Sequence, residues 1–333
     1  MDAVWQWGND LIVWLQGADG LTPVMEAASF LGTEEFFLLL MPALYWAWDA
    51  RLGGRLAVLL LGSNALNNVV KVLIGHPRPY WVDARVEARS VETSYGLPSG
   101  HAQLGLGVWG FLAQQARGDR RRLAWGLAGA LVFLISFSRV FLGMHFPTDI
   151  LGGWVLGAMA LWAFLRWERP AAAWLGGLGF GAQIGLALGV SVLFLAAALG
   201  TLAVTGSTPD PAEWAVNASA NSAPELEAPP IDPRSPDAPV ATAGMLFGLG
   251  AGLATATRWA RFDAKGPWAK RILRYVIGVV GILVFWRGLA LIFPSDPLWL
   301  EMVFRYLRYA LVVFWALGGA PWVFLRLRLA EEV

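Results

Sequence analysis

Apolar residues in this chain come in long runs, without the period-two alternation of strands or the narrow apolar stripe of a water-soluble helix. Runs long enough to cross a hydrocarbon layer of roughly 30 Å cover 33–49, 56–74, 99–116, 123–142, 148–166, 172–203, 239–257, 272–293 and 297–325. They predict nine membrane-spanning helices, because a backbone in lipid has only itself to bond to. Ahead of them, Val4, Trp5, Trp7, Leu11, Ile12, Trp14 and Leu15 give residues 2–16 a Trp-rich apolar surface suited to lying in the membrane interface. Asp2, Asn9 and Asp10, with no early Lys or Arg, keep this segment from reading as a cleaved signal peptide. The expected fold is all-α: a polytopic integral-membrane helical bundle of nine transmembrane helices plus an N-terminal interfacial helix.

Composition agrees with a chain dissolved in lipid. It is 57% hydrophobic and 15% charged, with 19 Trp and 38 Gly among 333 residues. It has no Cys, which removes disulfides, thiolate nucleophiles and Cys-ligated metals. The net charge of +1 says little until it is divided by loop. Arg51 and Arg55, Arg117 with Arg120 to Arg122, Arg166 and Arg169, Arg258 through Arg271, and Arg326 with Arg328 fall on alternate connections and the C-terminal tail. The positive-inside rule puts these on the cytoplasmic face. Segments 75–98, 138–148 and 204–238 then face the periplasm or exterior, as expected in a bacterial inner membrane. Nucleic acid is not an expected partner, and nothing in the sequence sets an oligomeric state.

The stretch 204–238 is rich in Pro, Ala, Ser, Asp and Glu and is expected to stay disordered or form a loose flap. It is the one break in composition. The domain reading is a catalytic membrane domain over 1–170 and a four-helix membrane extension over 171–333 that carries this outer loop. Two ladders of glycine, Gly177, Gly181, Gly185 and Gly189, then Gly244, Gly248 and Gly252, predict closely packed helices in the extension. Gly105 to Gly110 formally matches a dinucleotide fingerprint, but it lies within an apolar run with no strand before it, so it carries no such meaning.

Polar groups gathered at the ends of apolar runs are costly and point to chemistry. The three histidines fall in three short segments: Lys71 to Pro79 with His76, Pro98-Ser99-Gly100-His101, and Ser138-Arg139 through His145 to Asp149. A transferring phosphoryl group spreads negative charge over its oxygens and calls for fixed cations and backbone donors. Lys71, Arg78 and Arg139 are the cations, while Ser99 and Gly100 stand where a helix N-terminus can cradle an anion. Asp149 lies one helical turn after His145, placed to fix the imidazole tautomer and free the other nitrogen to attack. His145 is thus the nucleophile. His101 is left to protonate the leaving oxygen and then to activate water.

The spacing Lys-x6-Arg-Pro, Pro-Ser-Gly-His, Ser-Arg-x5-His-x3-Asp resembles the type-2 phosphatidic acid phosphatase family, which shares its site with the vanadium-dependent haloperoxidases. The resemblance covers about 30–167 and implies that Lys71, Arg78, Ser99, Gly100 and Arg139 hold phosphate, that His101 is acid then base, and that His145 attacks while Asp149 orients it. It further implies no metal or other cofactor. Tyr95 to His101 is similar to the sphingoid-base phosphate phosphatases, although those commonly carry Ser or Thr at the position of Gly100. Asn67 to Lys71, Arg78 to Trp81 and the nine-span layout are similar to glucose-6-phosphatase.

The expected function is therefore an integral-membrane lipid phosphatase working through a phosphohistidine, with a membrane lipid phosphate or diphosphate as substrate. Three rivals remain: a phosphatase of soluble esters resembling glucose-6-phosphatase, a lipid phosphotransferase, and a non-catalytic lipid-phosphate binder or transporter. A haloperoxidase is disfavoured because the chain is built for a bilayer. Outside this set, His76 reads as a hydrogen-bonded bundle histidine, Asn67 and its neighbours as interhelical links or supports, and Glu34 and Glu35 as the first turn of a helix capped by Thr33. Arg305 and Arg308 read either as partners of Glu301 or as the lining of a hydrated cavity.

Overall fold

The computed structural model describes residues 3–224, 226 and 229–333, and every regular element among them is helical. In order these are α1 (Ala3–Gln16), α2 (Thr22–Phe30), α3 (Glu34–Pro42), α4 (Ala50–Ile74), the short α5 (Pro79–Val82), α6 (Gly100–Gln114), α7 (Arg120–Phe141), α8 (Pro147–Gly176), α9 (Phe180–Thr205), α10 (Ala212–Ala220), α11 (Asp237–Trp259), α12 (Trp268–Leu283), α13 (Leu289–Ile292), α14 (Leu298–Phe314) and α15 (Ala320–Arg326). Wider π-helical turns at Ala43–Trp48, Val284–Gly288 and Trp315–Gly319 interrupt the apolar runs.

Seven helical runs among the described residues are long and apolar enough to cross a membrane, and the bent pair Asp19–Phe30 and Glu34–Trp48 makes an eighth if it counts as one broken span. The pair breaks where the Thr33 hydroxyl accepts the Phe36 N–H at 3.2 Å and starts α3, with Glu34 and Glu35 in its first turn. The expectation of nine falls short at 99–116. There α6 has 15 residues, and at about 1.5 Å each they reach only about 22 Å.

The chain packs as two compact units. The first is Met1–Phe37, Leu66–Ala163 and Gly200–Ser235; the second is Leu38–Ala65, Phe164–Leu199 and Pro236–Val333.

In the first unit Ile12, Trp81, Tyr95, Phe141 and Met144 are buried together. Two glycines let α8 press against α6: a Cβ at Gly153 would stand 2.6 Å from the Ser99 carbonyl oxygen, and one at Gly157 would stand 2.6 Å from that of Gln103. Asn67 adds the expected link, donating to Gln103 Oε1 at 2.7 Å and to the Pro98 carbonyl at 3.3 Å. Both features fix the chain that leads into Ser99.

The segment 204–238 departs from expectation. Instead of disorder it carries α10, whose Trp214 ring packs on Trp81 with centroids 5.9 Å apart. Asn217 donates to the Trp81 carbonyl at 2.9 Å and Asn221 to the Tyr80 carbonyl at 2.8 Å. Farther along, the Tyr95 hydroxyl donates to Asp210 at 2.8 Å and accepts from Arg234 Nε at 2.6 Å. The described part of the segment is therefore anchored by single side-chain hydrogen bonds, a means that apolar content does not register.

In the second unit one glycine ladder acts as predicted. A Cβ at Gly244 or Gly248 would run into the Tyr306 or Ala310 carbonyl, so α11 and α14 pack backbone to backbone. The other ladder does not, since Gly181, Gly185 and Gly189 meet nothing within 4 Å. Arg305 pairs with Glu301 at 2.7 Å and with Asp237 at 3.1 Å, and beside it Arg308 lines a small cavity with Phe293 and Phe304.

Candidate active site

All the residues singled out from the motifs, Lys71, Arg78, Ser99, Gly100, His101, Arg139, His145 and Asp149, lie in the first unit. Lys71 sits in the last turn of α4, which Gly75 ends by taking a φ of +63°. Pro77 keeps α4 from continuing, Pro79 opens the short α5, and Arg78 between them turns inward to complete burial. Its guanidinium donates to the carbonyls of Ser94, Met144 and Tyr95 at 2.6, 3.0 and 3.1 Å. The Ser94 hydroxyl accepts from both cations, from Lys71 Nζ at 3.0 Å and Arg78 Nη2 at 3.2 Å.

Arg139 closes α7 and is also buried, with Nη1 donating to the Ser29 hydroxyl at 2.9 Å. The chain then reverses at Gly143, with φ +76°, and delivers His145 just before Pro147 starts α8. His145 Nδ1 lies 3.3 Å from Asp149 Oδ2, which also accepts the Phe146 N–H at 2.9 Å. The opposite ring nitrogen, Nε2, lies 3.4 Å from Arg78 Nη1. One nitrogen is therefore held by a carboxylate and the other faces the cations. Burial first, then the charges of Arg78, Arg139 and Lys71, push the His145 imidazole well below the usual histidine range and keep it neutral at pH 7.

Ser99 leads into α6 and donates its N–H to the Asp149 carbonyl at 3.0 Å. Its hydroxyl and the Nε2 of His101 are buried with no hydrogen-bond partner among the described residues. Such groups are rare unless a ligand or water completes them, and here they stand with three cations. Among the described residues no three His, Cys, Asp or Glu side chains gather as a metal site.

Two residues have roles that spacing did not signal. His76, expected to be a bundle histidine, places Nδ1 3.2 Å from Asp149 Oδ1, with its ring edge-on to Trp5 and Phe146 at 5.2 and 5.6 Å. Glu92 spans the two arginines: one carboxylate oxygen is 2.6 Å from Arg139 Nη2 and the other 3.3 Å from Arg78 Nη2. Burial alone would raise its carboxyl, but Arg78, Arg139 and Lys71 overcome that and hold it down to about 2. Ser29 and Ser94 were likewise unmarked, being ordinary polar residues outside the motifs, and Tyr95 was noted only as the start of the stretch similar to the sphingoid-base phosphate phosphatases.

Residues 52–172, which contain every one of these motif positions, match the PAP2 superfamily, and residues 240–332 match the PAP2 superfamily phosphatase, transmembrane extension. Phosphatidylglycerophosphatase B of Bacillus subtilis (strain 168) is 30% identical over 153 residues, 42% of this chain and 71% of that protein. The chain belongs to the PAP2 superfamily. Within the PAP2 superfamily it is a membrane-spanning phosphoric monoester hydrolase. Glucose-6-phosphatase 3 of Mus musculus is 28% identical over 328 residues, 91% of this chain and 90% of its own length. Sphingosine-1-phosphate phosphatase 2 of Mus musculus is 33% identical over 136 residues, covering 39% of this chain and 38% of that protein, so the chain spans well under half of this relative.

Proposed function

We propose that this site hydrolyses a phosphate or diphosphate ester carried by a membrane lipid, through a phosphohistidine at His145. The observation that carries the reading is the His145 ring itself, held through Nδ1 by Asp149 at 3.3 Å while Nε2 faces Arg78 at 3.4 Å. In the first step Nε2 attacks phosphorus, the bond from phosphorus to the lipid oxygen breaks, and His101 gives that oxygen a proton. In the second, His101 takes a proton from water, the water oxygen attacks phosphorus, and the phosphorus–nitrogen bond breaks to release inorganic phosphate and His145. Lys71, Arg78 and Arg139 balance the charge on the equatorial oxygens, and the Ser99 hydroxyl and the Gly100 N–H add neutral donors. These steps call on no metal ion.

A lipid is favoured by what lies next to Ser99. An apolar cleft of about 260 Å³ is lined by Val70, Ile74, Leu97, Pro98, Val155 and Leu156, a lining that suits an acyl or prenyl chain and offers nothing to a sugar hydroxyl. The Lys and Arg distribution puts the site on the periplasmic or outer side of a bacterial inner membrane, with the C-terminus in the cytoplasm.

One observation favours a second reading, a phosphatase of soluble esters: the match to glucose-6-phosphatase 3 runs over 91% of this chain. Phosphate release by the purified protein from phosphatidate, phosphatidylglycerophosphate, a sphingoid-base phosphate, a polyprenyl diphosphate and glucose 6-phosphate separates the two. A kcat/KM highest on glucose 6-phosphate would replace the lipid reading. Label from a phosphorus-32 substrate trapped on wild-type protein, stable to alkali and absent from His145→Ala, is the result expected of the phosphohistidine.

A further inference from the structure

Arg78 and Arg139 have side-chain exposures of 0% and 2%, and Lys71 is tied to Arg78 through the Ser94 hydroxyl. Three cations enclosed together repel one another and are costly unless an anion lies among them. Glu92 is the carboxylate that lies there. It presents one oxygen to each guanidinium, the same presentation that two oxygens of a phosphate make to a pair of arginines.

We propose that the Glu92 carboxylate is a placeholder: it occupies the seat between Arg78 and Arg139 while the site is empty and leaves it when the substrate's phosphate arrives. The proposal rests on reading the arginine pair as the phosphate seat.

Three features separate a placeholder from a brace. The arginines do not need Glu92 to stay where they are, since Arg78 is held by the carbonyls of Ser94, Met144 and Tyr95 and Arg139 by the Ser29 hydroxyl. Glu92, unlike them, has a way out, because 24% of its side chain reaches the surface. Its backbone can remain in place during that motion, pinned by the Tyr80 hydroxyl on the Glu92 carbonyl at 2.9 Å. A phosphate dianion in the same seat would stand against the carboxylate at hydrogen-bond range, where like charges exclude one another. The two anions therefore compete, and phosphate binds with an apparent affinity reduced by the fraction of time the seat is open.

Calorimetric titration of inorganic phosphate into the purified full-length protein tests this without turnover. Glu92→Gln keeps the shape and removes the charge, so it should bind phosphate roughly tenfold more tightly if the carboxylate fills the seat about nine-tenths of the time. Equal or weaker binding by Glu92→Gln would overturn the placeholder and make Glu92 a brace. If Glu92→Gln does not fold, Glu92→Asp is read in its place, since a shorter acid cannot span both arginines; it too should bind more tightly than wild type, and equal or weaker binding overturns the proposal. Failure of the wild-type protein to bind phosphate at any accessible concentration would instead bring down the reading of the seat itself.

Discussion

His76 Nδ1 stands 3.2 Å from Asp149 Oδ1, the carboxylate oxygen that His145 does not use, although neither atom completes a hydrogen bond among the described residues. The carboxylate thus has a histidine on each side, His145 bonded at Oδ2 and His76 set against Oδ1. His76→Ala would remove the ring set against Asp149 Oδ1 and free the carboxylate to shift, which should lower kcat by roughly tenfold. His145→Ala should abolish turnover, and Asp149→Asn should lower kcat by roughly 10²–10⁴-fold through the wrong tautomer. Steady-state kinetics on the three variants checks the ranking. An unchanged kcat in His76→Ala would make that contact incidental.

Glu92 also ties stability to pH. Its carboxyl is held to about 2 in the folded protein against an ordinary 4.5, so the unfolded chain binds the proton first as pH falls. The stabilisation is complete above 4.5 and disappears on the way down to 2. In the absence of phosphate, Glu92→Gln should melt below wild type by the same margin at pH 7 and pH 5.5, and by a smaller margin at pH 3.5. A margin that grows on acidification would contradict the charge pairing.

The Tyr95 hydroxyl binds Asp210 and Arg234, while its carbonyl accepts from Arg78. Burial, and then the bond to Asp210, push the phenol up to about 12, so it stays a donor throughout the working range. Tyr95→Phe should release the segment that holds Asp210 and Arg234 and raise its cleavage rate by a protease roughly tenfold, as loss of a hydrogen bond of about 1.4 kcal/mol would. Mass spectrometry of the fragments locates the cuts. Cleavage confined to the termini would show that the hydroxyl does not hold the segment.

Val155 stands in the apolar cleft beside Pro98. Val155→Trp should fill that cleft and reduce kcat/KM on long-chain lipid phosphates by roughly tenfold or more, with little change on glucose 6-phosphate or a short-chain analogue. Equal losses on both kinds of substrate would show that the cleft does not receive the chain.

Sidedness can be read by chemistry, since the chain has no native Cys. Ser207→Cys, exposed beyond α9, should react with an impermeant maleimide from outside intact cells, and Asp119→Cys, exposed ahead of α7, should not. The opposite pattern would turn the site to the cytoplasm.

Lys71, Arg78, Ser99, Arg139, His145 and Asp149 could be singled out because the motifs set a particular residue at a particular spacing, and the structure brings them into one unit. Glu92 could not be singled out, because a single acid in a polar segment looks the same whether it faces water or two arginines. Hydrophobic runs located the spans, yet the run at 99–116 is itself short and yields the 15-residue α6. The glycine ladder at Gly244 and Gly248 signalled a helix contact, while the one at Gly181 to Gly189 did not, because small residues permit close approach without requiring it. Order in the described part of 204–238 was not legible because Asn217, Asn221, Asp210 and Arg234 act one bond at a time, and composition counts only apolar area.

The glycines at 153 and 157 set α8 against α6 with no side chain between the backbones. Ser99 stands at the head of one helix and His145 immediately before the other, so the two ends of the reacting centre belong to one stiff body. A bilayer that thickens, thins or curves can tilt that body, but it cannot change the gap between Ser99 and His145. Lipid surroundings should therefore act on how often a substrate enters, leaving the chemical step the same once it is there.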